Sequence, residues 1–144
     1  MQQGDLFGGA VEGGASLAVQ PVASGLAADL DTLAAACAGC SRCGLAWGRT
    51  QVVVGRGNPA ARLMVIGEGP GAQEDASGLP FVGRAGQLLD QMLASVGIDS
   101  NRDAFVANVV KCRPPDNRKP TAEEMAACLP WLQRQIALVD PPVI

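Results

Sequence analysis

The cysteines are the residues of this sequence whose spacing is most distinctive. Cys40 and Cys43 form a Cys-x2-Cys pair, Cys37 lies three residues before that pair, and Cys112 and Cys128 follow far along the chain. Thiolates at this spacing can bind one centre from a tight loop, either zinc or an iron–sulfur cluster. Zinc ribbons usually combine two Cys-x2-Cys pairs, so the scattered second pair favours iron and sulfide. A plainer interpretation stays open, in which Cys128 is a small core residue and Cys37 only ends a helix.

A glycine-rich loop runs from Gly67 to Gly71, directly after an apolar segment. Glycine lets a ligand approach the main chain closely, and the N–H groups of such a loop can bind an anion or a carbonyl. The loop lacks the glycine spacing of dinucleotide-binding folds and the Gly-Lys-Ser/Thr of a P-loop. Glu68, Glu74 and Asp75 place acid near it, which disfavours a phosphate chain as the ligand, although solvated helix caps would look the same.

An aromatic and an amide residue are the candidates for contact with a nucleic-acid base. Phe81 lies in Gly-Leu-Pro-Phe-Val-Gly-Arg, a loop-like context in which it could stack on a base or pack beneath the loop. Asn108 lies among valines in a predicted strand, where a polar side chain needs a partner. Its amide offers the donor and the acceptor that match uracil O4 and N3–H, whereas cytosine presents the reverse pattern. A structural hydrogen bond is the alternative.

Basic residues concentrate in one short segment. Residues 111–119 hold four basic side chains and one acidic one, although the whole chain carries a net charge of −3. This is a possible footprint for DNA phosphate, and a solvated loop would read the same way. The four phosphate candidates are Lys111, Arg113, Arg118 and Lys119. The chain contains no histidine, which excludes histidine zinc sites, Ser-His triads and imidazole bases within these residues.

The pattern of apolar residues and caps predicts alternating strands and helices. The expected elements are a helix entering Cys37, strands at 52–54 and 63–66, a helix with Leu88, Leu89, Met92, Leu93 and Val96 that ends at Gly97, a strand at 104–110, a helix with a Thr121–Glu124 capping box, and a strand beginning at Val143. Pro130 is expected to break or restart the last helix. This order predicts an α/β fold, a three-layer α/β/α sandwich with a mostly parallel sheet.

The length and composition limit how the chain can be organised into domains. With 144 residues and 48% apolar residues, it is expected to form one domain at 31–144, preceded by a low-complexity, disordered tail at 1–30. No apolar run approaches a membrane span and no secretory signal is evident, so we expect a cytoplasmic protein with reduced thiols. The sheet would have three strands and part of a fourth. The sequence therefore looks like the first half of a larger domain.

Six segments taken together resemble the family 4, iron–sulfur uracil-DNA glycosylases. They include Gly-Glu-Gly-Pro-Gly-Ala-Gln-Glu-Asp and Asn-Val-Val-Lys-Cys-Arg-Pro-Pro-Asp-Asn-Arg-Lys-Pro. The segments are residues 40–45, 53–58, 67–75, 78–90, 108–120 and 124–128. The resemblance covers roughly residues 32–144 and does not extend to the tail.

The resemblance implies a cofactor and a substrate pocket. The cofactor is a 4Fe–4S cluster bound by Cys40, Cys43, Cys112 and Cys128, with Cys37 outside the ligand set. In the pocket, the loop from Gly67 to Gly71 approaches the base, and Glu68 and Gly69 belong to the active-site motif. The remaining implied contacts are stacking on the flipped base by Phe81, reading of its edge by Asn108, and exclusion of thymine by Glu74 at the C5 side.

The resemblance also implies an activity and a missing part. The expected reaction is hydrolysis of the N-glycosidic bond of uracil in single- or double-stranded DNA, by a monomer acting in base excision repair. The family carries a second motif with a histidine and an intercalating loop, and neither is found here, so we expect low activity from these residues alone. Two other functions remain: a non-catalytic iron–sulfur DNA-binding module, and a ferredoxin-like electron carrier. The carrier is disfavoured because Arg113, and not proline, follows Cys112.

Overall fold

The computed structural model of the protein describes residues 29–144. Its helices and strands in chain order are α1 (Leu30–Ala38), β1 (Arg56–Gly57), β2 (Leu63–Gly67), α2 (Ala72–Ser77), α3 (Arg84–Ala94), β3 (Ala104–Asn108) and α4 (Ala122–Val139). Short 3-10 turns span Gly44–Trp47 and Pro115–Asn117. Most of the predicted tail lies outside the described residues. Asp29 already caps α1, because its Oδ1 accepts the N–H of Thr32 at 2.9 Å.

The sheet has the order β1-β3-β2, so β3 is its central strand. β2 runs parallel to β3 in a register that places Gly67 beside Asn108, whereas β1 runs antiparallel and places Arg56 beside Val106. Because parallel strands end at the same edge, the loop after β2 and the end of β3 lie next to each other. This edge carries the candidate base-binding residues.

The predicted α/β class is confirmed, and two apolar clusters hold it together. α1 packs on α4, and α4 packs on β3. One cluster lies around the cysteines and includes Leu33, Val110 and Trp131. The other joins Met64 and Phe105 of the sheet to the buried residues of α4. Val143 pairs with Leu63 in a parallel bridge, which agrees with the predicted start of a strand at that residue.

The strand predicted at residues 52–54 is wrong. The Val53 N–H does donate to the Lys111 carbonyl at 2.7 Å, and the Val53 side chain is fully buried. However, the segment forms no ladder, and the strand begins only at Arg56. Two of the valines here pack against the apolar cluster around the cysteines, and they do not pair with another strand. The third strand also ends at Asn108 and not at residue 110.

α4 contains Pro130 and yet runs without interruption from Ala122 to Val139, so the predicted break is wrong. Pro130 is fully buried, and packing of that turn offsets the missing backbone hydrogen bond. The predicted capping box is confirmed: Thr121 Oγ1 accepts the Glu124 N–H at 3.1 Å, and Glu124 Oε1 accepts the Thr121 N–H at 2.9 Å. Within residues 29–144, none of the helices combines the length and apolarity needed to cross a membrane.

α3 ends at Ala94, three residues before the predicted end at Gly97. Gly97 adopts a left-handed conformation with φ of 81°, and its N–H donates to the Ala94 carbonyl at 3.0 Å. The apolar side chains of this helix are less buried than their spacing suggests, because Leu88 and Met92 are mostly exposed, as is Val96 just beyond the helix. The helix is therefore amphipathic, but within residues 29–144 much of its apolar face is exposed.

Candidate functional site

A cavity of about 270 Å³ opens at the shared end of β2 and β3. Its walls come from the loop after β2, the segment between α2 and α3, the end of β3, and the loop before α4. The lining residues are Glu68, Gly69, Pro70, Gly71, Glu74, Phe81, Gly83, Arg84, Ala85, Gly86, Asn108, Pro114, Asn117, Arg118 and Pro120. The structure thus brings the predicted base-binding residues together, except that Gly67 does not line the cavity and lies next to Phe81 and Asn108.

Three residues make a tight contact at the back of this cavity. If Gly67 carried a Cβ, that atom would lie 2.4 Å from Cζ of Phe81 and 2.5 Å from Oδ1 of Asn108. Only glycine therefore lets the aromatic ring and the amide approach the same point. The Oδ1 atom of Asn108 is buried and has no hydrogen-bond partner. A buried acceptor left without a partner costs free energy, so this atom is ready for a donor from a ligand.

Phe81 is held in an unusual backbone conformation. Its φ is 57°, in the left-handed region that an aromatic residue seldom adopts. The Arg56 guanidinium donates to the carbonyls of Pro80 at 2.7 Å and Phe81 at 3.2 Å. Gly86 lies so close that a Cβ there would come within 1.9 Å of the Phe81 carbonyl oxygen. The contacts with Arg56 and Gly86 hold Phe81 in this strained backbone conformation.

Glu74 connects the two loops that line the cavity. Its Oε1 accepts the Gly71 N–H at 3.0 Å, and its Oε2 accepts the N–H groups of Val82 and Gly83 at 3.0 and 2.8 Å. Partial burial raises the pKa of this carboxyl, but the three backbone donors outweigh that effect and hold it below its usual value. Glu74 lines the cavity as a carboxylate that fixes the positions of both loops.

The loop after β2 stays close to β3 beyond the end of the strands. The N–H groups of Val109 and Val110 donate to the carbonyls of Gly67 and Glu68 at 2.8 and 3.0 Å. A Cβ on Gly69 would lie 2.7 Å from a methyl group of Val110, so this position also requires glycine. The Glu68 side chain is exposed at the cavity mouth.

The predicted cysteine ligands meet at a second, smaller depression. Cys40 and Cys43 come from the loop after α1, Cys112 follows β3, and Cys128 lies in α4. All four line this depression, together with Arg42, Leu45, Ala46, Arg49, Lys111 and Ala127. Cys37 is fully buried in the apolar cluster beneath and does not line the depression.

N–H groups point at three of these four sulfur atoms. Cys40 Sγ accepts from the Trp131 indole at 3.4 Å and from the Arg42 backbone at 3.5 Å. Cys112 Sγ accepts from the Arg49 guanidinium at 3.3 Å. Cys128 Sγ accepts from the Lys111 backbone at 3.2 Å. Such donors stabilise thiolates and tune the sulfur ligands of metal centres.

Burial opposes ionisation of two of the four thiols that line the depression, Cys112 and Cys128. Burial raises the pKa of Cys128 to about 12, although Lys111 acts in the opposite direction. Burial also raises the pKa of Cys112, and the Arg49 hydrogen bond counteracts part of that rise. Within residues 29–144, no group of three or more His, Cys, Asp or Glu side chains is arranged to hold a metal ion.

Lys111 does not lie where a phosphate contact requires it, and that prediction is wrong. The side chain is only 1% exposed, and its Nζ donates to the Asn108 carbonyl at 2.8 Å and to Gln135 Oε1 at 2.5 Å. Gln135 in turn donates to the Val54 carbonyl at 2.8 Å. Burial lowers the pKa of Lys111 to about 8. The residue is part of the interior, between the cavity and the cysteines.

The other three phosphate candidates remain near the surface. Arg113 donates to Asn117 Oδ1 at 2.8 Å. Arg118 lines the cavity and forms a bidentate pair with Glu124 at 2.8 and 2.9 Å, which lowers the pKa of that carboxyl to about 2. Lys119 is exposed. Whether these residues bind phosphate is still a prediction.

Some of the residues that shape both sites were not identified from the sequence. Arg49, Arg56 and Gln135 each make hydrogen bonds to segments far away in the chain. The sequence does contain a signal for Arg56. It is a charged residue between Gly55 and Gly57, close behind three apolar valines, where its side chain needs partners. Gln135 is similarly a polar residue among apolar neighbours of α4.

Comparison with known proteins gives a family for this arrangement. Residues 54–144 match the profile of the uracil DNA glycosylase superfamily. The type-4 uracil-DNA glycosylase of Thermotoga maritima is 53% identical over 105 residues, which cover 73% of this chain and 54% of that protein. The type-4 enzyme of Archaeoglobus fulgidus is 45% identical over 115 residues, covering 80% and 57%. The type-5 enzyme of Thermus thermophilus is 34% identical over 106 residues, covering 65% and 47%.

The matched region contains the cavity with its lining glycines at positions 69, 71, 83 and 86, and two of the four cysteines that line the depression. The chain spans about half the length of the curated relatives it matches. Sequence similarity and cavity geometry agree, and the chain belongs to the uracil DNA glycosylase superfamily, within which it resembles the type-4 enzymes.

Proposed function

We propose that this protein acts as a uracil-DNA glycosylase, which hydrolyses the N-glycosidic bond between uracil and deoxyribose. The observation that carries the proposal is the buried Oδ1 of Asn108, which lacks a partner and stands beside the Phe81 ring in the cavity. An acceptor in that position matches the N3–H of uracil, and the amide N–H2 of the same side chain matches O4. Cytosine would place an acceptor against Oδ1, so it would be rejected.

The cavity supplies the other contacts that a flipped base needs. The target nucleotide must leave the duplex before the cavity can enclose its base. The Phe81 ring provides a surface on which the base stacks. Glu74 lies in the wall with its carboxylate already bound by three backbone N–H groups, so it forms a rigid side of the pocket. We assign to this wall the rejection of the methyl group of thymine.

Bond cleavage needs charge stabilisation on both fragments. As the bond breaks, the sugar gains oxocarbenium character and negative charge grows on uracil O2. The backbone of Gly69 lines the cavity, where a main-chain N–H can stabilise that anion. The exposed carboxylate of Glu68 lies at the cavity mouth, where it stabilises the positive sugar and orients water.

The test measures uracil released from single- and double-stranded oligonucleotides that contain one uracil, with chromatographic detection. We expect slow release by this chain and a further reduction of roughly 5- to 150-fold in Asn108→Ala, which corresponds to about 1–3 kcal/mol for a lost buried polar contact. Asn58→Ala is the matched control, because Asn58 bonds to a surface turn and lies outside the cavity. Binding of the same DNA without any uracil release would favour the non-catalytic DNA-binding module.

We also propose that Cys40, Cys43, Cys112 and Cys128 hold a 4Fe–4S cluster. Four thiols line one depression, and N–H donors approach three of their sulfur atoms. The second pair of cysteines is split between the segment after β3 and α4, unlike the two Cys-x2-Cys pairs of a zinc ribbon, and this arrangement favours the cluster over zinc. The cluster would act structurally, by connecting the loop after α1 to the end of β3 and to α4.

The proposed partner is DNA that contains uracil. Arg113, Arg118 and Lys119 are the proposed phosphate contacts, and Arg118 also lines the cavity, which would bring the backbone of the flipped nucleotide to its mouth. The monomeric state, the cytoplasmic location and the choice between single and double strands stay predictions.

A further inference from the structure

We propose that Arg56 is a positioning residue that holds Phe81 in the conformation in which its ring can stack on a base. The inference depends on the proposed function only in taking a base as the group on which the Phe81 ring stacks. Arg56 lies on β1 and does not line the cavity, so it acts on a bound base through Phe81 and not directly.

The guanidinium group of Arg56 connects three separate segments. Its Nε donates to the Pro80 carbonyl at 2.7 Å, and one terminal nitrogen donates to the Phe81 carbonyl at 3.2 Å. The other terminal nitrogen donates to Ser100 Oγ at 3.0 Å and to Asn101 Oδ1 at 2.7 Å. The Asp90 carboxylate on α3 lies 3.6 Å away and supplies a countercharge. The side chain is only 9% exposed, so these partners replace its hydration.

Phe81 needs such an external hold because its local backbone preference is unfavourable. A φ of 57° costs free energy for a residue with a bulky side chain, and the loop would otherwise relax to negative φ. The N–H groups on the following residues are bound by Glu74, and the Phe81 carbonyl is pressed against Gly86. Arg56 completes this set of contacts by donating to the carbonyls of Pro80 and Phe81. Together these contacts direct the ring toward Gly67 and Asn108.

The role requires the planar fork of arginine. Three nitrogens of Arg56 bind acceptors in fixed, different directions, which a lysine ammonium on a flexible stem cannot reproduce. Arg56→Lys therefore keeps the charge beside Asp90 but loses the simultaneous grip on residues 80 and 81. The matched control is Arg62→Lys, because Arg62 is exposed just before β2.

The first experiment reads the ring position without any ligand. In ¹H–¹⁵N NMR spectra, Phe81→Ala removes the ring current from the Asn108 side-chain amide and shifts its resonances. We expect Arg56→Lys to shift the same resonances in the same direction, and Gly86→Ala, which displaces the Phe81 carbonyl, to do so as well. Arg62→Lys should leave them in place. Unchanged Asn108 resonances in folded Arg56→Lys protein would overturn the proposal.

The second experiment measures affinity for free uracil in a double-mutant cycle. We expect Phe81→Ala to weaken uracil binding by about tenfold, in the range of one base stacked on an aromatic ring. Arg56→Lys should weaken it by a similar factor, and adding Arg56→Lys to Phe81→Ala should cause no further loss. Independent, additive losses would show that Arg56 does not act through Phe81. If the wild-type chain binds no uracil, the proposed function fails, and the NMR shifts still decide the role of Arg56.

Discussion

Asn108 lines the cavity and Cys112, four residues later, lines the cysteine depression, yet the two regions are built in different ways. The cavity is made from loops whose main chain is bound by polar side chains, chiefly Glu74 and Arg56. The cysteine site is made from buried thiols inside an apolar cluster, which includes Leu33 and Trp131. The cavity is held by hydrogen bonds from charged side chains, whereas the cysteine site is held by apolar packing and would be completed by the proposed cluster.

This difference predicts that the two regions respond differently to the same kind of change. The cavity loops are held by the charged side chains of Glu74 and Arg56, and the buried Oδ1 of Asn108 is left without a partner. Burial raises the pKa of the Cys112 and Cys128 thiols, so binding of the proposed cluster would have to displace their protons. Each region can therefore be disabled by substitutions that leave the other region's chemistry intact.

The largest expected effect comes from Cys112→Ala. If Cys112 is one of four cluster ligands, anaerobically purified wild-type protein should contain about four irons per chain, and the variant should lose nearly all of that iron. Iron and acid-labile sulfide analysis, with visible absorption, measures this. Cys37→Ala is the control, because Cys37 is equally buried but lies outside the depression, and it should keep the iron. Stoichiometric zinc in the wild-type protein would contradict the cluster.

A smaller effect is expected from Glu74→Gln, which tests the clamp of the cavity. The variant loses charge-assisted hydrogen bonds to Gly71, Val82 and Gly83, and we expect a loss of about 1.5–3 kcal/mol in the free energy of unfolding at neutral pH. Denaturant titration measures it. Glu123→Gln, on the exposed start of α4, is the matched control.

The pH dependence of that loss has a definite sign. The folded pKa of Glu74 lies below its ordinary value of 4.5, so its carboxylate stabilises the fold above that value, and the stabilisation is lost as the pH falls through the folded pKa. The difference between wild type and Glu74→Gln should therefore shrink on acidification below about pH 4.5. A difference that stays constant from pH 7 to pH 3 would mean that the charge is not what holds the loops.

The smallest effect is expected for Lys119→Ala. Lys119 is exposed in the loop before α4, and loss of one phosphate contact should reduce the slope of log affinity for DNA against log salt by about one unit. Arg62→Ala is the control, because Arg62 is exposed just before β2, and it should leave the slope unchanged. Equal slopes for Lys119→Ala and wild type would place this loop outside the DNA interface. The measurement also separates Lys119 from Lys111, which is buried.

The sequence was most informative where the signal is local. The capping box at Thr121 and the left-handed Gly97 follow from short patterns, and the shared pocket of the Gly67 loop and Asn108 is what the family resemblance implies. Lys111 was misassigned because its burial depends on Gln135, which lies 24 residues away and is brought near only by the packing of α4. Pro130 was misjudged for a related reason, since burial of its ring outweighs the lost hydrogen bond.

The placement of Trp131 gives the chain a built-in optical signal. The chain has two tryptophans and no tyrosine. Trp131 is 4% exposed with its indole N–H on Cys40, whereas Trp47 is 84% exposed. Emission from the buried indole should be blue-shifted and quenched when iron occupies the neighbouring site, while the exposed indole emits at longer wavelength. Loading and loss of the proposed cluster could thus be followed by intrinsic fluorescence, without a label.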